Sequence, residues 1–343
     1  MRILVTGANG YLGSAVAGRL PRDGHQVVGL VHREQDRLPK GLPIRFADLR
    51  EPKRLTAAVR DVDAVCHLAG LTRARESVAD PLPYFQVNVG GTVALLDAMA
   101  RAGVEKLVFA STVAIYATAI QPMTEDLPDA PPHPYAASKQ AAESAIAAQA
   151  ATGRLAAIVL RMSNLVGGAD TDPTRLLPRL RAVAAGTGAR LPVNGDGTAT
   201  RDYLHIEDAA RAFTAALAHL PAPGACHRYN IGSGTGTSIN DLIDLTSRLA
   251  GRPIPVDHHP AAQEPPTLIA DNSRAARELG WRPTWDIDAI VREMWADRPD
   301  DHPAHDVDPA RQRSALDQLA AMDHNPFLTD DEIAARENRK RPT

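Results

Sequence analysis

The chain has 343 residues, 44% hydrophobic and 23% charged, an ordinary globular balance that rules out a wholly disordered polymer. No run of about 18 apolar residues occurs, which excludes a membrane-spanning helix, and a net charge of -3 offers no general attraction for nucleic acid or an anionic membrane. Two cysteines, Cys66 and Cys226, form neither a disulfide framework nor a thiolate metal cage. The start, Met1-Arg2-Ile3-Leu4-Val5-Thr6-Gly7, has too short an apolar run for a secretory leader, so a cytoplasmic protein is expected.

Arg2 to Val5 is a short apolar strand ending at Thr6-Gly7, and Tyr11 to Leu20 reads as a helix stopped by Pro21 and Asp23-Gly24. Val27 to Val31 is a second strand of buried type and Ile44 to Phe46 a third, followed by a helical stretch through Leu55 and Val59. Asp63 to Leu68 is a fourth strand, Val87 to Ala102 a helix, and Leu107 to Ala110 a fifth strand after Gly103. Ala136 to Ala150 is helical and Leu155 to Leu160 forms a sixth strand. Short apolar strands alternating with helices of 10 to 15 residues predict an α/β fold, a doubly wound parallel sheet that binds ligands at the carboxyl ends of its strands.

Beyond Gly167 the pattern turns irregular, with Pro and Gly clusters that predict a smaller, loop-rich C-terminal substrate-binding lobe. The expected organisation is a first domain over 1–165 that carries this sheet and a lobe over 166–295 with some chain returning to the first domain. Residues 296–343 are expected to be a linker and helical tail of unknown role. Within that tail, Ala310 to Met322 and Thr329 to Arg339 read as helices, the second opened by a Thr329/Glu332 capping box.

Gly7-Ala8-Asn9-Gly10-Tyr11-Leu12-Gly13 joins the first strand to the first helix. Gly7, Gly10, Tyr11, Leu12 and Gly13 therefore set backbone N–H groups and a positive helix end where a pyrophosphate can sit. The end of the second strand normally carries the carboxylate that binds the ribose 2′-hydroxyl of NAD. Here it is Val31, followed by His32-Arg33, which tilts the expected cofactor from NAD toward NADP with Arg33 on the 2′-phosphate. Asp48-Leu49 suits the adenine ring, or else a helix N-cap.

Tyr135 and Lys139 stand at i and i+4, one above the other on a helical face. An ammonium next to a tyrosine favours the phenolate, which can take a proton from a substrate hydroxyl. Only five of the 38 basic residues are lysines (Lys40, Lys53, Lys106, Lys139 and Lys340), so a lysine at such a position carries more information than an arginine would. Ser111-Thr112 ends the fifth strand, where either hydroxyl can relay a proton or hold a substrate oxygen. The histidines, with His258-His259 adjacent, lack the spacing of a helical metal site, and no metal is expected.

In order, the motifs Gly7 to Gly13, Asp48-Leu49, His67-Leu68-Ala69-Gly70, Asn88 to Thr92, Ser111 to Tyr116, Tyr135 to Lys139, Leu160 to Asn164, Arg201 to His205 and Tyr229 to Gly232 resemble the UDP-galactose 4-epimerase group of extended short-chain dehydrogenases. The resemblance covers residue 1 to about 285. It implies a nucleotide-diphosphate sugar substrate, UDP-linked, bound between the Rossmann domain and the smaller lobe of a homodimer. It also implies that Thr112, Tyr135 and Lys139 are catalytic, and that Leu68, Ala69, Gly70 and Asn88 join the cofactor contacts. Asn164 and Arg201 would then hold the substrate diphosphate.

Two departures narrow the chemistry. Val113-Ala114 follows Thr112 where the family's 4,6-dehydratases carry Asp-Glu, which leaves 4-epimerisation as the leading expectation. The family's late diphosphate-clamping arginine has no counterpart near Pro260 to Gln263, and Thr72 replaces a pyrophosphate-side lysine, with Arg73, Arg75 and Arg252 as candidate substitutes. The alternatives are an NADPH-dependent 4-ketoreductase with the same Tyr and Lys, and a non-catalytic dinucleotide sensor or scaffold.

Overall fold

The computed structural model describes residues 1–33, 38–117, 122–168, 170–261 and 265–296. The first half runs β1 (Arg2–Thr6), α1 (Tyr11–Arg19), β2 (Gln26–Val31), β3 (Ile44–Phe46), α2 (Pro52–Ala58), β4 (Ala64–His67), α3 (Ala74–Ala79), α4 (Leu82–Tyr84), α5 (Gly91–Ala102), β5 (Lys106–Thr112), α6 (Pro134–Gln149) and β6 (Ala156–Met162). The second half adds β7 (Asn164–Val166), α7 (Leu176–Ala185), β8 (Leu191–Asn194), β9 (Thr200–His205), α8 (Ile206–Ala218) and β10 (Cys226–Ile231). It closes with β11 (Gly236–Ser238), α9 (Ile239–Ala250), β12 (Val256–His259), β13 (Thr267–Leu268), α10 (Ser273–Glu278) and α11 (Ile287–Ala296). The tail helices expected after Asp308 lie outside the described residues.

Seven strands form one parallel sheet in the order β10-β6-β5-β4-β1-β2-β3. The chain builds outward from β1 in one direction, then returns beside β1 with β4 and builds the other way. That reversal opens a crevice at the carboxyl ends of β1 and β4. Both sheet faces are buried, which explains why the strands are nearly continuous apolar runs. Ile3, Val5, Ile158 and Leu160 pack under α1 and α8, while Leu4, Val65, Leu107 and Val159 pack under α2, α5 and α6.

Part of the second half returns to the first layer structure, where α8 and β10 complete it. Phe213, Ala216 and Leu217 of α8 pack with Val16, Ala17 and Leu20 of α1, and β10 extends the sheet beyond β6. A separate core gathers Leu177, Leu180 and Val183 of α7, Leu242 and Leu245 of α9, and Ile290, Val291 and Met294 of α11. The helix expected from Val87 begins earlier, at Leu82, and passes through a wide π-turn at Phe85–Gly90 before continuing as α5. Such single wide turns cluster at functional sites.

Candidate active site

The glycine turn at the crevice is held by contacts that leave no room for side chains. Gly7 has φ +66 and donates to the carbonyl of Leu30, and a Cβ there would lie 2.9 Å from the Ala69 backbone. At Gly13 a Cβ would stand 1.9 Å from the carbonyl oxygen of Gly7, so the turn and the first helical turn touch. Gly10 is the N-cap of α1, with no side-chain cap and no acidic residue in the first turn. The amides of an uncapped helix end attract an anion, so the turn fits the diphosphate of a dinucleotide. Leu12 packs into the core below. Tyr11 reaches away instead, donating to the carbonyl of Gly167 at 2.5 Å while the Arg175 guanidinium lies 4.5 Å from its ring centre.

Thr6 closes the β1/β4 junction through a chain of hydrogen bonds. Its hydroxyl oxygen accepts from the Leu68 and Ala69 amides and meets His67 Nδ1 at 2.8 Å. His67 Nε2 meets Thr92 Oγ1 at 3.0 Å, and the Thr92 hydroxyl donates to the Asn88 carbonyl. Burial, helped by the Lys139 charge, pushes the imidazole down to about 3, so it stays neutral and serves as a fixed link. Asn88 is 2% exposed. Its side chain accepts from the Leu71 amide and donates to the Leu71 carbonyl and Ser138 Oγ, so its amide is committed to protein groups. Asn88, presented by the π-turn, thereby clamps the 68–71 loop to α6.

At the end of β2, Asn9 donates to the Arg33 carbonyl at 3.0 Å. Asp48 is paired with Arg50 through both carboxylate oxygens, at 3.1 and 2.9 Å, and Glu51 rather than Asp48 is the N-cap of α2. Burial raises the Asp48 carboxyl, but hydrogen bonds from Arg50 outweigh it and leave it low. His32 lies in the same cluster, held low by burial, Arg33 and Arg50. Leu49 packs against Gly91.

Pro134 opens α6, and His133 caps it by accepting from the Ala136 amide at 3.1 Å. Tyr135 is stacked on the His133 ring at 5.8 Å and meets the edge of Tyr84 at 6.5 Å. Its amide donates to Ser77, and Ser138 donates to its carbonyl, which fixes the start of the helix. Burial pushes the phenol up to about 12, opposed by a hydrogen bond from Thr112. Thr112 is the neighbour that lowers it. Lys139 Nζ instead donates to the Ala110 carbonyl at 2.8 Å and sits 4.6 Å from the Phe109 ring centre. Burial pulls the ammonium down to about 8, against support from Glu143. Gly70 packs beside both the Asn88 amide and the Lys139 ammonium, which joins the crevice to α6.

Asn164 and Arg201 fall on neighbouring strands, with Asn164 exposed on β7 and paired in register with Tyr203 of β9. Arg201 donates to the Thr200 carbonyl at 2.9 Å. Of the candidate substitute arginines, Arg252 is spent on the Val183 and Ala184 carbonyls at the end of α7. Arg73 bridges to Asp172 and Thr174, each at 3.1 Å.

Sequence reasoning missed His133, and it missed a buried ionic cluster beside Lys139. Arg161 is fully buried and pairs with Glu143 at 2.6 Å and Asp129 at 2.8 Å, above the Tyr116 ring. Ser111 donates to Glu143 from β5. One signal was present, since Glu143 repeats the i+4 step from Lys139, but its partner lies on another element.

The sheet order and the glycine turn at its reversal define a Rossmann-type α/β protein. More particularly, the chain belongs to the NAD dependent epimerase/dehydratase family, whose model matches residues 3–232. It is 36% identical over 314 residues to a UDP-glucose 4-epimerase of Corynebacterium glutamicum, covering 86% of this chain and 95% of the relative. A crystal structure of UDP-glucose-4-epimerase from Stenotrophomonas maltophila with bound NAD and formylated UDP-arabinopyranose matches with a TM-score of 0.80 at 33% identity, covering 86% of this chain and 97% of that one. The UDP-glucose 4-epimerase of Brucella ovis in complex with NAD matches at 0.81 and 33%, with the same coverage.

Proposed function

We propose that this protein is a nucleotide-diphosphate-sugar 4-epimerase acting on a UDP-linked sugar with a resident nicotinamide dinucleotide. The observation that carries the reading is Tyr135, buried with Thr112 as the neighbour that lowers its phenol and a helical turn before Lys139, at the carboxyl ends of the strands in a chain with a glycine turn that fits a diphosphate. Gly7, Gly10, Tyr11, Leu12 and Gly13, with the 68–70 loop, would hold the dinucleotide. When bound, it supplies the oxidising and then the reducing equivalent at sugar C4.

The chain's own residues handle the proton. As the phenolate, with the Thr112 hydroxyl donating to it, the Tyr135 oxygen accepts the proton of the 4-hydroxyl and becomes the phenol, and it returns that proton when the 4-keto sugar is reduced on its other face. The Lys139 cation makes the anionic form of Tyr135 less costly once substrate and cofactor close the site. Asn164 and Arg201 would face the substrate diphosphate from β7 and β9, beside a substrate lobe built by those parts of 166–295 that do not return to the seven-stranded sheet.

The relatives of known structure hold NAD, and NAD is the cofactor assigned. NADP is the second reading, favoured by the cluster of His32, Arg33 and Arg50 at the end of β2, where Val31 offers no carboxylate. A homodimer belongs to the same reading: Val78, Leu82, Phe85 and Val93 are exposed across α3, α4, the π-turn and α5. Large apolar side chains grouped in this way mark association surfaces.

Denaturing the purified protein and weighing the released nucleotide tests the cofactor, and a panel of UDP-sugars tests the reaction. Epimerisation requires stoichiometric retained nucleotide, whereas reversible binding of NADPH would favour the 4-ketoreductase. Tyr135→Phe is expected to lower turnover by on the order of 10²–10⁴ with nucleotide still bound, and unchanged turnover would remove the assignment.

A further inference from the structure

We propose that Glu143 is a positioning residue for the Tyr135/Lys139 pair, its buried carboxylate supplying the negative charge that keeps Lys139 an ammonium on the same face of α6. The inference rests on the reading of Tyr135 and Lys139 as the proton-handling pair. Tyr135, Lys139 and Glu143 follow at successive steps of four, so their side chains line one stripe of the helix. Lys139 is 3% exposed and Glu143 2% exposed, in a setting where neither charge can rely on water.

The charges facing this stripe can be counted element by element. From β6, Arg161 binds both oxygens of Glu143, and from the loop before α6, Asp129 binds the other side of the same guanidinium. From β5, Ser111 donates to Glu143, and from β4, His67 stays neutral. Tyr116 lies under Arg161, and Cys226 on β10 is a thiol pushed up to about 11, so neither carries charge. Arg228 on β10 approaches Glu143 at 3.4 Å but is 43% exposed and screened by solvent.

Glu143 and Asp129 face the buried Arg161 guanidinium and, at the solvent edge, the screened Arg228, and the Lys139 ammonium one helical turn from Glu143 adds the second buried cation. Glu143 is the one carboxylate acting on Lys139 among the described residues, and it opposes the burial that pulls the amine down. Arg161 and Ser111 hold the carboxylate in place, so the field at Lys139 is built in rather than arranged during turnover. The same cluster ties α6 to β5 and β6 and thereby sets the height of the helix against Thr112.

Lysine signals are few enough to read directly, since the chain has only five. In holoprotein carrying ¹³C-labelled lysine, Lys139, assigned with Lys139→Arg, is expected to titrate at about 8. In Glu143→Gln it is expected to titrate at least about one pH unit lower, and the alkaline limb of kcat/KM should move with it. That shift predicts an about fivefold loss near pH 8 and less than about twofold near pH 6. Asp129→Asn, at the more exposed edge of the cluster, frees Arg161 to neutralise Glu143 further and should move Lys139 the same way by less. If Glu143→Gln fails to fold, Asp129→Asn decides. An unmoved Lys139 titration in the folded variant, or a loss of activity equal at every pH, overturns the proposal. Lys139→Ala separates the two readings. If that variant is inactive while Lys139 is unmoved in Glu143→Gln, only the role of Glu143 falls; if it turns over normally, the proton-handling pair itself falls.

Discussion

The glycine turn between β1 and α1 and the α6 end of β5 both sit at the carboxyl edge of the same sheet, but they are built by opposite means. The turn works by omission. Gly7 and Gly13 bring backbone atoms together where a methyl group would collide, and helix amides are left to meet an anion. The α6 end works by filling, with Lys139, Glu143 and Arg161 all buried, Glu143 paired with Arg161, and Asn88 wedged between the 68–71 loop and Ser138. A site made from backbone is specified by a short run of residues. A site made from buried charge needs partners from several elements, and each partner is costly to lose.

Arg161→Met separates the two regions most sharply. It strands the buried Glu143 carboxylate, and breaking such a pair typically costs about 3–5 kcal/mol. Urea denaturation should show that loss in the midpoint, and Arg161→Met combined with Glu143→Met should recover much of it. Equal losses in the single and double variants would mean that packing, not charge, holds this end together. Gly13→Ala acts on the other region. Its methyl group would start 1.9 Å from the Gly7 carbonyl, and relieving such a clash costs about 1–3 kcal/mol by displacing the turn. Retained nucleotide in the purified variant should fall further than thermal stability does; full retention would show that the turn does not hold the cofactor.

Legibility in the sequence divides along the same line. The strands at Val27, Ile44 and Leu107 and the glycine turn were readable because their signals lie within a few consecutive residues. Tyr135 and Lys139 were readable for the same reason. Arg161 was not, because nothing near it in sequence announces a partner 18 residues upstream in Glu143 and 32 upstream in Asp129. The strands β7, β11 and β13 are only two or three residues long, too short for any alternation to appear. The π-turn that lets Asn88 point inward is a change of one residue per turn, and the apolar pattern of the surrounding helix conceals it.

His67 joins the two regions and gives them a shared response to acid. Its folded value near 3 lies below the ordinary 6.5, so the native imidazole stays neutral while the unfolded one gains a proton as pH falls. Its stabilising contribution is complete above about pH 6.5 and is lost as pH falls toward about 3, with about 2 kcal/mol gone by pH 5. Unfolding free energy measured between about pH 7 and 5, above the main carboxylate range, should therefore fall more steeply in the parent than in His67→Gln. Parallel slopes would assign the acid response to other histidines.

Arg73 is expected to give the smallest effect, and for that reason it marks where the filled construction ends. Its guanidinium reaches Asp172 and Glu76 at 3.1 and 3.2 Å, like the pairs around Arg161, but it is 45% exposed, so water screens the charges and offers a ready substitute for each bond. Arg73→Ala should change the unfolding free energy by less than about 1 kcal/mol. A larger loss would mean that the bridge to Asp172 and Thr174 organises structure as the buried cluster does, and that the α6 style of construction extends out to the 170–174 loop. If the stability change is small but KM for a UDP-sugar rises severalfold, the residue serves ligand binding instead, which would assign it the phosphate-side role left open by Thr72.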